Sequence, residues 1–551
     1  MPQNIWKLTP REAAAQCIMP RLVPNSIQES DVHKQEIISL IAQGIGGFCV
    51  FQGDAEYTAT LIDELQKEAA IPLLFSADYE HGLTMRLEGG TDFPHAMALA
   101  QAKKPDLTYK AAAAIALEAK TIGVHWNFAP VCDINSHPEN PIINIRAFAE
   151  YPSHAEQHIK EYIKGTQSQS VLACAKHFPG HGNTITDSHS ALPIVLDSLA
   201  QLQQRELVPF QKAIEADVQS IMIGHLSIPA LDPSGLPASL SSTIMIDLLR
   251  KHMKYKGIII TDALDMHAIS KHYTSAEATI LSLQAGATIA LVPDNALEAL
   301  DAAARKAEED PDFYNLLIEN CLLIAKAKQW CGLISEAPTS IEYSDNNRQT
   351  IVKNNAPNKI ALDSKTMENH ALLALDIAKQ ALVIHDPKKL LPISEKTTFA
   401  AFAVLDGDDQ KTLDKGVSFF RVLAQTLENE CDFGFINSEI EPNDAYELRD
   451  SVQAVDIIIL AVFIKPMSYK GTVGLSEYLL HALDHITQDK PVVAMLLGSP
   501  YLHSFLPADA YICSYSDSLP SLSAAALTVS GRATAKAWTP HDAGCFQGDH
   551  N

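Results

Sequence analysis

A short stretch in the first half of the chain is rich in side chains that can donate or accept protons. It reads Lys-His-Phe-Pro-Gly-His-Gly-Asn-Thr over residues 176–184 and is followed by Asp187, Ser188 and His189. Its two glycines allow the backbone to approach a ligand closely. A carboxylate two residues before a histidine can orient the imidazole and tune its basicity, so this spacing predicts a catalytic loop.

The same residues could instead hold a metal ion. Zinc takes three or four converging His, Cys or carboxylate ligands, and His177, His181 and His189 could supply them. No helical HxxxH spacing and no cysteine pair accompanies them. We therefore predict that neither a metal nor another cofactor takes part. A third interpretation, that these are ordinary polar loop residues, is weakened because they occur together.

A regular scaffold would have to position this loop, and residues 1–335 have the pattern of one. Short β-rich apolar runs alternate with longer segments compatible with helices, as in βα units around a parallel sheet. Eight such units predict a TIM (β/α)₈ barrel, although the count alone also fits an open sheet. The eight runs are 16–23, 44–51, 72–77, 123–130, 171–177, 220–225, 257–261 and 287–292.

Polar residues follow the ends of these runs. A barrel places its active site at the carboxyl ends of its strands, so these side chains should converge at one face. They are Asp78 and Glu80 after the third run, Asp133 after the fourth, Lys176 and His177 at the end of the fifth, His225 after the sixth and Asp262 after the seventh.

Residues 336–361 are polar and aperiodic, which predicts a linker. Beyond them, residues 362–551 again alternate apolar runs with segments compatible with helices, which predicts a smaller α/β sandwich domain. The apolar runs of this domain are 381–384, 399–405, 456–464, 491–497 and 510–515.

Charge and hydropathy limit the possible partners. The formal net charge is −24, which disfavours nucleic acid and anionic membranes. The longest apolar run, at 455–464, is about half of the ~20 residues that a membrane span needs. Nine scattered cysteines without a CxxC spacing are typical of reduced cytosolic proteins. We expect a cytoplasmic protein, and the sequence does not indicate its oligomeric state.

These motifs together resemble glycoside hydrolase family three, specifically its bacterial β-N-acetylglucosaminidases. The stretch 176–182 with Asp187-Ser-His189 is similar to the signature of that subgroup. The segment 239–266 resembles the family's nucleophile strand, and Asn127 to Asp133 with Arg146-Ala-Phe148 resembles its fourth strand and the sugar-binding loop after it. The resemblance spans the barrel and extends more weakly through Gly498-Ser-Pro-Tyr501.

The resemblance implies a retaining exo-β-N-acetylglucosaminidase that releases terminal GlcNAc from cell-wall-derived muropeptides or related glycosides. Such an enzyme needs a carboxylate to capture the anomeric carbon and a proton donor for the departing oxygen. Asp262 would be the nucleophile, His189 the general acid/base and Asp187 its orienting partner. The small-molecule carbohydrate would be bound by Asp78, Arg86, Arg146, Lys176 and His177.

The chain departs from the family at the segment after the third run. Asp78 and Arg86 keep the family's spacing of eight residues. The usual Asp-Gln-Glu-Gly-Gly is here Asp-Tyr-Glu-His-Gly, so Tyr79 and His81 differ, and Leu83 stands where arginine is expected. These departures concern contacts around the sugar.

Other functions remain open at this point. A phosphorylase would transfer the same glycosyl group to phosphate, and a histidine donor would tolerate that anion because it adds no negative charge. A catalytically inactive sugar-binding protein could keep the fold. A plain β-glucosidase of the family would normally take its acid from the second domain. Asp262 could also be a capping residue of the next helix, a role that suits Asp265 better.

Overall fold

The computed structural model describes most of the chain. Among the helices that it describes, none combines the length and the apolar character needed to cross a membrane. The described residues are 4–184, 186–188, 191–344, 363–405, 410–427, 431–466, 470–539 and 542.

The described residues form two compact units. Two segments that lie within the sequence of the barrel belong to the second unit, which also contains the C-terminal part of the chain. The barrel unit consists of described residues in Met1–Thr91, Thr108–Ile134 and Tyr151–Met367, and the second unit of those in Asp92–Leu107, Asn135–Glu150 and Glu368–Asn551.

Parallel strands of the barrel unit form a closed ring. The first strand is split at Pro20, so that one half pairs with the last strand and the other half with the second. A bridge between Ile260 and Ile289 joins the last two strands. The TIM (β/α)₈ barrel is therefore confirmed, and each of the eight apolar runs contains a strand. Around the ring these are Ile18–Met19 with Arg21–Leu22, Gly47–Val50, Leu74–Ala77, Trp126–Asn127, Leu172–Phe178, Ser220–Ile223, Ile258–Thr261 and Ala290–Leu291.

Helices of the barrel unit begin at capping residues. Thr9 and Thr274 each form a capping box with a glutamate three residues later, and Asp310 accepts hydrogen bonds from the first turn of the helix that follows. The α-helices are Pro10–Gln16, Pro24–Glu29, Asp31–Ala42, Ala55–Glu68, Pro105–Thr121, Pro152–Ser168, Leu199–Gln204, Leu207–Glu215, His267–Ser270, Ser275–Gln284, Ala296–Glu309 and Pro311–Trp330, with a π-helix at Thr243–His252 and 3₁₀ turns at Leu83–Met85 and Ala238–Leu240.

Part of the segment expected to be a linker is a strand. Ser340–Tyr343 pairs in parallel with Ile5–Leu8 near the N-terminus. A second short pair joins Gly53–Asp54 to Leu87–Glu88. Residues 345–362, which make up most of the expected linker, lie outside the described residues.

The second unit is built on a seven-stranded sheet, counted over the residues that the structure describes. Alternate residues of its strands enter two hydrophobic clusters, so both faces are covered, as an α/β sandwich requires. In sheet order the strands are Cys431–Ile436, Phe399–Leu405, Ile457–Phe463, Val492–Leu496, Ala510–Cys513, Val383–His385 and Lys536–Ala537, and only Val383–His385 runs antiparallel to a neighbour, Ala510–Cys513.

Helices surround this sheet, and short turns connect them. The α-helices are Ala96–Gln101, Ser364–Ala381, Gln410–Thr426, Pro442–Ser451, Glu477–Thr487 and Leu519–Val529, and the 3₁₀ turns are Asn144–Arg146, Val452–Ala454 and Pro500–Ser504.

Candidate active site

A cluster of paired charges lies at the carboxyl ends of the third and fifth barrel strands. Lys176, only 2% exposed, places its Nζ 2.8 Å from Asp78 Oδ1 and 2.7 Å from Glu80 Oε1. Arg86 Nη2 lies 2.5 Å from the other oxygen of Asp78, and its guanidinium stacks over the ring of Phe51. Two cations are thus matched by two carboxylates in a largely buried cluster.

These contacts decide the charge state of the cluster. Burial alone would raise the pKa of Asp78, but the charges of Lys176 and Arg86 outweigh it and hold that pKa well below its usual range. Burial would lower the pKa of Arg86, and the ion pair with Asp78 raises it instead. Asp78 and Arg86 are therefore ionised at neutral pH and present fixed charges to a polar ligand.

Asp133 holds the start of the loop that follows the fifth strand. Its carboxylate lies 2.7 Å from His177 Nδ1 and accepts a 2.7 Å hydrogen bond from the backbone N–H of His181. Burial would raise the pKa of Asp133, but the charge and hydrogen bond of His177 lower it. Because a carboxylate oxygen can only accept, His177 Nδ1 is the donor of this hydrogen bond.

His181 connects the two ends of the loop. Its Nδ1 lies 2.8 Å from Thr184 Oγ and its Nε2 3.1 Å from Ser188 Oγ. Burial, followed by the neighbouring His177, lowers the pKa of His181 to about 4, so the ring is neutral at pH 7. This bond therefore fixes Ser188, the residue that follows Asp187 in the sequence.

Asp187 is 2% exposed, and its carbonyl oxygen accepts a 3.1 Å hydrogen bond from the backbone N–H of Ala191. His189, the expected proton donor, lies outside the described residues. The ring nitrogens of His177 and His181 contact Asp133, Thr184 and Ser188. Within the described part of the chain, no group of three His, Cys, Asp or Glu side chains is arranged to hold a metal ion.

The two loop glycines are required by the protein's own packing. Gly180 has φ of 131°, and a Cβ there would lie 2.6 Å from Cγ of Glu206. A Cβ at Gly182 would overlap the carbonyl oxygen of Ile134. Sequence reasoning assigned these glycines to ligand approach, whereas the structure shows that neighbouring residues already fill the space.

A buried polar network supports the loop from its outer side. Asn183 Nδ2 donates a 2.7 Å hydrogen bond to Asp197 Oδ2, and Arg205 Nη2 lies 3.0 Å from the same oxygen. Arg205 Nε also lies 2.7 Å from Glu206 Oε2. Burial raises the pKa of Glu206 to about 7, although the hydrogen bond and charge of Arg205 oppose it. No sequence motif pointed to this network.

Asp262 directly follows the strand Ile258–Thr261. Its backbone N–H donates to the carbonyl of Ile223, at 2.8 Å, on the neighbouring strand. Its Oδ1 accepts a 2.8 Å hydrogen bond from the N–H of Ala263. The charge of Asp262 acts on the pKa values of both His181 and Cys174. The carboxylate therefore lies within electrostatic reach of the loop and of the fifth strand.

Two histidine contacts fix the chain beyond Asp262. His225 Nε2 donates to the carbonyl of Ala263, at 2.8 Å, and its Nδ1 accepts from Ser239 Oγ at 2.7 Å. Strand-end position had singled out His225 without giving it a role. Asp265, the alternative nucleophile or cap, instead forms a 2.5 Å ion pair with Arg21.

Arg146 belongs to the second unit. It ends the 3₁₀ turn Asn144–Arg146, and its Nη1 donates a 2.7 Å hydrogen bond to the carbonyl of Ile142. The structure thus brings together Asp78, Arg86 and Lys176 in the barrel unit, beside the strand-end residue Glu80, and places Arg146 in the other unit.

Two of the departures from the family pattern, Tyr79 and Leu83, are buried in the barrel unit. Tyr79 is fully buried, and its backbone N–H and carbonyl both bond to the side-chain amide of Asn127. Leu83 is 2% exposed and packs closely against Gly90, where a Cβ would lie 2.9 Å from the Leu83 Cβ. Leucine at this position therefore fills an apolar site.

Three comparisons with known proteins identify relatives of this chain. The family model for the glycosyl hydrolase family 3 N-terminal domain matches residues 9–311. Beta-hexosaminidase A of Pseudoalteromonas piscicida is 29% identical over 481 residues, covering 80% of this chain and 75% of the relative. Beta-hexosaminidase LpqI of Mycobacterium tuberculosis is 30% identical over 316 residues, covering 55% of this chain and 79% of that protein. The structure of a glycoside hydrolase family 3 β-N-acetylglucosaminidase from Paenibacillus sp. str. FPU-7 is similar, with a TM-score of 0.81 and 25% identity over 96% of this chain and 98% of that one.

Proposed function

Because the chain belongs to glycosyl hydrolase family 3, we propose that it is a retaining exo-β-N-acetylglucosaminidase with Asp262 as nucleophile and His189 as general acid/base. The observation that carries the proposal is the position of Asp262. This carboxylate stands at the end of a barrel strand, where the backbone fixes its direction, and its charge reaches the loop that bears Asp187.

The proposed reaction has two steps. In the first, Asp262 attacks the anomeric carbon while the bond to the leaving oxygen breaks and His189 gives that oxygen a proton. The product is a glycosyl ester of Asp262. In the second, His189 takes a proton from water, the water oxygen attacks the anomeric carbon, and the ester bond breaks to release the sugar and the free carboxylate.

Asp187 would hold His189 in the productive orientation and raise its basicity, as carboxylates do in catalytic triads. Two observations on the residues before it support this role: Asp187 is buried, and the side chain of Ser188 is hydrogen-bonded to His181.

The residues proposed to bind the sugar hydroxyls are Asp78, Arg86, Arg146, Lys176 and His177. In the cluster of the third and fifth strands, each cation is already paired with a carboxylate. Such a site offers donors and acceptors to hydroxyl groups without an excess of positive charge.

The leaving group would occupy a cavity of about 360 Å³ beside the loop. The polar side chains of Asn183, Thr184 and Gln201 and the apolar side chains of Ile194 and Leu196 line it. A leaving group that carries hydroxyls and an apolar substituent suits this lining. The resemblance to peptidoglycan-recycling enzymes suggests a cell-wall-derived muropeptide and a cytoplasmic location.

Two 4-nitrophenyl glycosides test the proposal. The N-acetyl-β-glucosaminide should react on the order of 100-fold faster than the β-glucoside, because a site that binds the acetamido group leaves polar atoms unpaired without it. The assay in phosphate buffer should yield free N-acetylglucosamine. Equal rates on the two glycosides, or accumulation of the sugar 1-phosphate, would contradict the proposal.

A further inference from the structure

The segment that bears Arg146 is anchored in the core of the second unit. Ile145, the residue before Arg146, is fully buried in a hydrophobic cluster with Met97 and with strand residues such as Leu460. The 3₁₀ turn Asn144–Arg146 also contacts the helix Ala96–Gln101. The backbone of Arg146 is therefore positioned by the second unit.

Side-chain amides hold the turn itself. Asn140 Oδ1 accepts hydrogen bonds from the N–H groups of Ile142 and Ile143, at 3.0 and 2.8 Å. Asn144 has φ of 44°, a left-handed conformation that asparagine tolerates better than most residues. Arg146 Nη1 in turn donates to the carbonyl of Ile142. The guanidinium direction thus depends on the geometry of this turn.

Asn135 links the turn to a tyrosine far along the chain. Its Oδ1 accepts from the N–H of Asn144 at 2.9 Å, while its Nδ2 donates to the hydroxyl of Tyr501 at 2.9 Å. Tyr501 lies in the 3₁₀ turn Pro500–Ser504 after the strand Val492–Leu496. Each end of one amide is therefore engaged, and the bond to Tyr501 fixes which end faces the turn.

The Tyr501 hydroxyl has a second partner. It forms a hydrogen bond with the carboxylate of Glu150, at the end of the same segment. Burial raises the pKa of Tyr501 well above its ordinary value, and the Glu150 charge adds to this effect. The phenol is therefore protonated, so it can donate to Glu150 while it accepts from Asn135. One hydroxyl thus joins both ends of the segment 135–150.

We propose that Tyr501 is a positioning residue for sugar binding, through which the second unit fixes Arg146 by way of Asn135. This inference rests on the proposed function, in which Arg146 contacts the sugar. Loss of the Tyr501 hydroxyl frees the Asn135 amide to rotate, which removes the restraint on Asn144 and loosens the turn that carries Arg146.

The test compares Tyr501→Phe with Tyr511→Phe. Tyr511 is a matched control, because it packs against the same core and donates a 3.0 Å hydrogen bond to the carbonyl of Leu506. We expect Tyr501→Phe to raise KM for the aryl N-acetyl-β-glucosaminide roughly 5-fold, the effect of one lost hydrogen bond, with kcat nearly unchanged. Both variants should lower the thermal midpoint by a similar amount, because each loses one hydrogen bond. Tyr511→Phe should leave KM unchanged.

A double-mutant cycle with Arg146→Ala shows whether the effect passes through the arginine. If it does, Tyr501→Phe adds no further rise in KM once Arg146 is absent. Asn135→Ala is a second route to the same result if Tyr501→Phe fails to fold. If Arg146→Ala raises KM but Tyr501→Phe behaves like Tyr511→Phe, this inference is overturned and the proposed function stands. If Arg146→Ala leaves KM unchanged, the assignment of Arg146 to the sugar fails, and this inference fails with it.

Discussion

Lys176 shows how strongly the site depends on single charged groups. Its ammonium is shared between Asp78 and Glu80 and is almost completely hidden from solvent. The attraction between buried partners compensates the cost of removing their charges from water. Removal of one partner leaves that cost in place without the compensation, so each member of the cluster contributes to folding and, under the proposed function, to sugar binding.

Asp78→Asn tests this dependence. The amide keeps the shape of the carboxylate but removes the charge that Lys176 and Arg86 face, so we expect a loss of about 3 kcal/mol or more in the free energy of unfolding. Asp63→Asn is the control, because Asp63 forms an exposed pair with Lys67 on one helix face. That variant should change stability by less than about 0.5 kcal/mol. If urea unfolding gave the same loss of unfolding free energy for Asp78→Asn and Asp63→Asn, the ion pairs of Asp78 would not contribute more to stability than an exposed pair.

His189→Ala should separate substrates by their leaving group. A proton donor matters most when the departing oxygen is a poor leaving group, as in a sugar, and least for nitrophenolate. We expect a disaccharide to lose roughly 10²–10⁴-fold more activity than the nitrophenyl glycoside. Asp187→Ala should shift the ratio in the same direction but less far, because the imidazole remains. Equal losses on both substrates would assign His189 to binding and reopen Glu80 as the donor.

The sequence located part of this site, and the reason is local. Asp78 follows the end of a strand and Lys176 lies near the carboxyl end of another, and in a closed barrel the carboxyl ends of neighbouring strands meet. The sequence did not indicate that Arg146 belongs to the second unit, because this depends on the packing of Ile145 against residues far along the chain. Asp197, Arg205 and Glu206 were not identified because they flank the helix Leu199–Gln204 and have the composition of an ordinary exposed surface.

At the scale of elements, the loop is held from both sides. Asp133 binds its start inside the barrel, and Asn183 ties its middle to Asp197 and Arg205 on the outside. Arg205 contacts two acids in this network, Asp197 and Glu206, and burial raises the pKa of Glu206. The network therefore makes loop support dependent on pH.

The free energy of unfolding should fall as the pH rises from 4.5 to about 7. Burial raises the pKa of Glu206 from 4.5 to about 7. Below pH 4.5 Glu206 is protonated in both the native and the unfolded chain, and its full contribution to the free energy of unfolding is present. As the pH rises, Glu206 loses its proton first in the unfolded chain, and its contribution is lost as the pH passes through 7.

Glu206→Gln should remove this pH dependence. The loss in the parent protein amounts to about 3 kcal/mol at most. Unfolding free energies from urea titrations between pH 5 and pH 8 measure it, and the glutamine variant should show the smaller decline. A parallel decline in both proteins would mean that other groups cause it.

The elements themselves were predicted where their patterns are strong. Fully buried parallel strands are continuous apolar runs, and all eight barrel runs contain one. The edge strand Cys431–Ile436 was not predicted, because Asp432 and Gly434 interrupt its apolar pattern. Its two phenylalanines are also partly exposed, Phe433 at 40% and Phe435 at 42%. An edge strand lacks the continuous apolar pattern of a central one.

At the scale of the whole molecule, residues 1–335 contribute to both units, because two segments within them belong to the second unit. Asp92–Leu107 and Asn135–Glu150 leave the barrel sequence and complete the second unit. Met97 and Ile145 from these segments are fully buried in its core. Each such side chain contributes roughly 1.5–3 kcal/mol when it is removed from water.

A chain that ends at residue 335 should therefore be defective, although it contains the whole barrel. Met97, Ala98 and Ile145 would lose the core that covers them, and we expect binding of a hydrophobic dye and aggregation. A chain that ends at residue 542 is the control, since it keeps Asp542, which pairs with Lys103 at 2.6 Å. A monomeric, dye-free and fully active 1–335 protein would contradict this interpretation.

The central claim is that Asp262 forms a covalent bond to the sugar. A 5-fluoro-N-acetyl-β-glucosaminyl fluoride has a good leaving group but a slowed second step, so the glycosyl enzyme should accumulate. Mass spectrometry of the intact protein should then show one added sugar, and peptide mapping should place it on Asp262. Asp262→Asn should remain unlabelled. A label on Asp265 or on any other residue, or turnover of the reagent without a label, would contradict the claim.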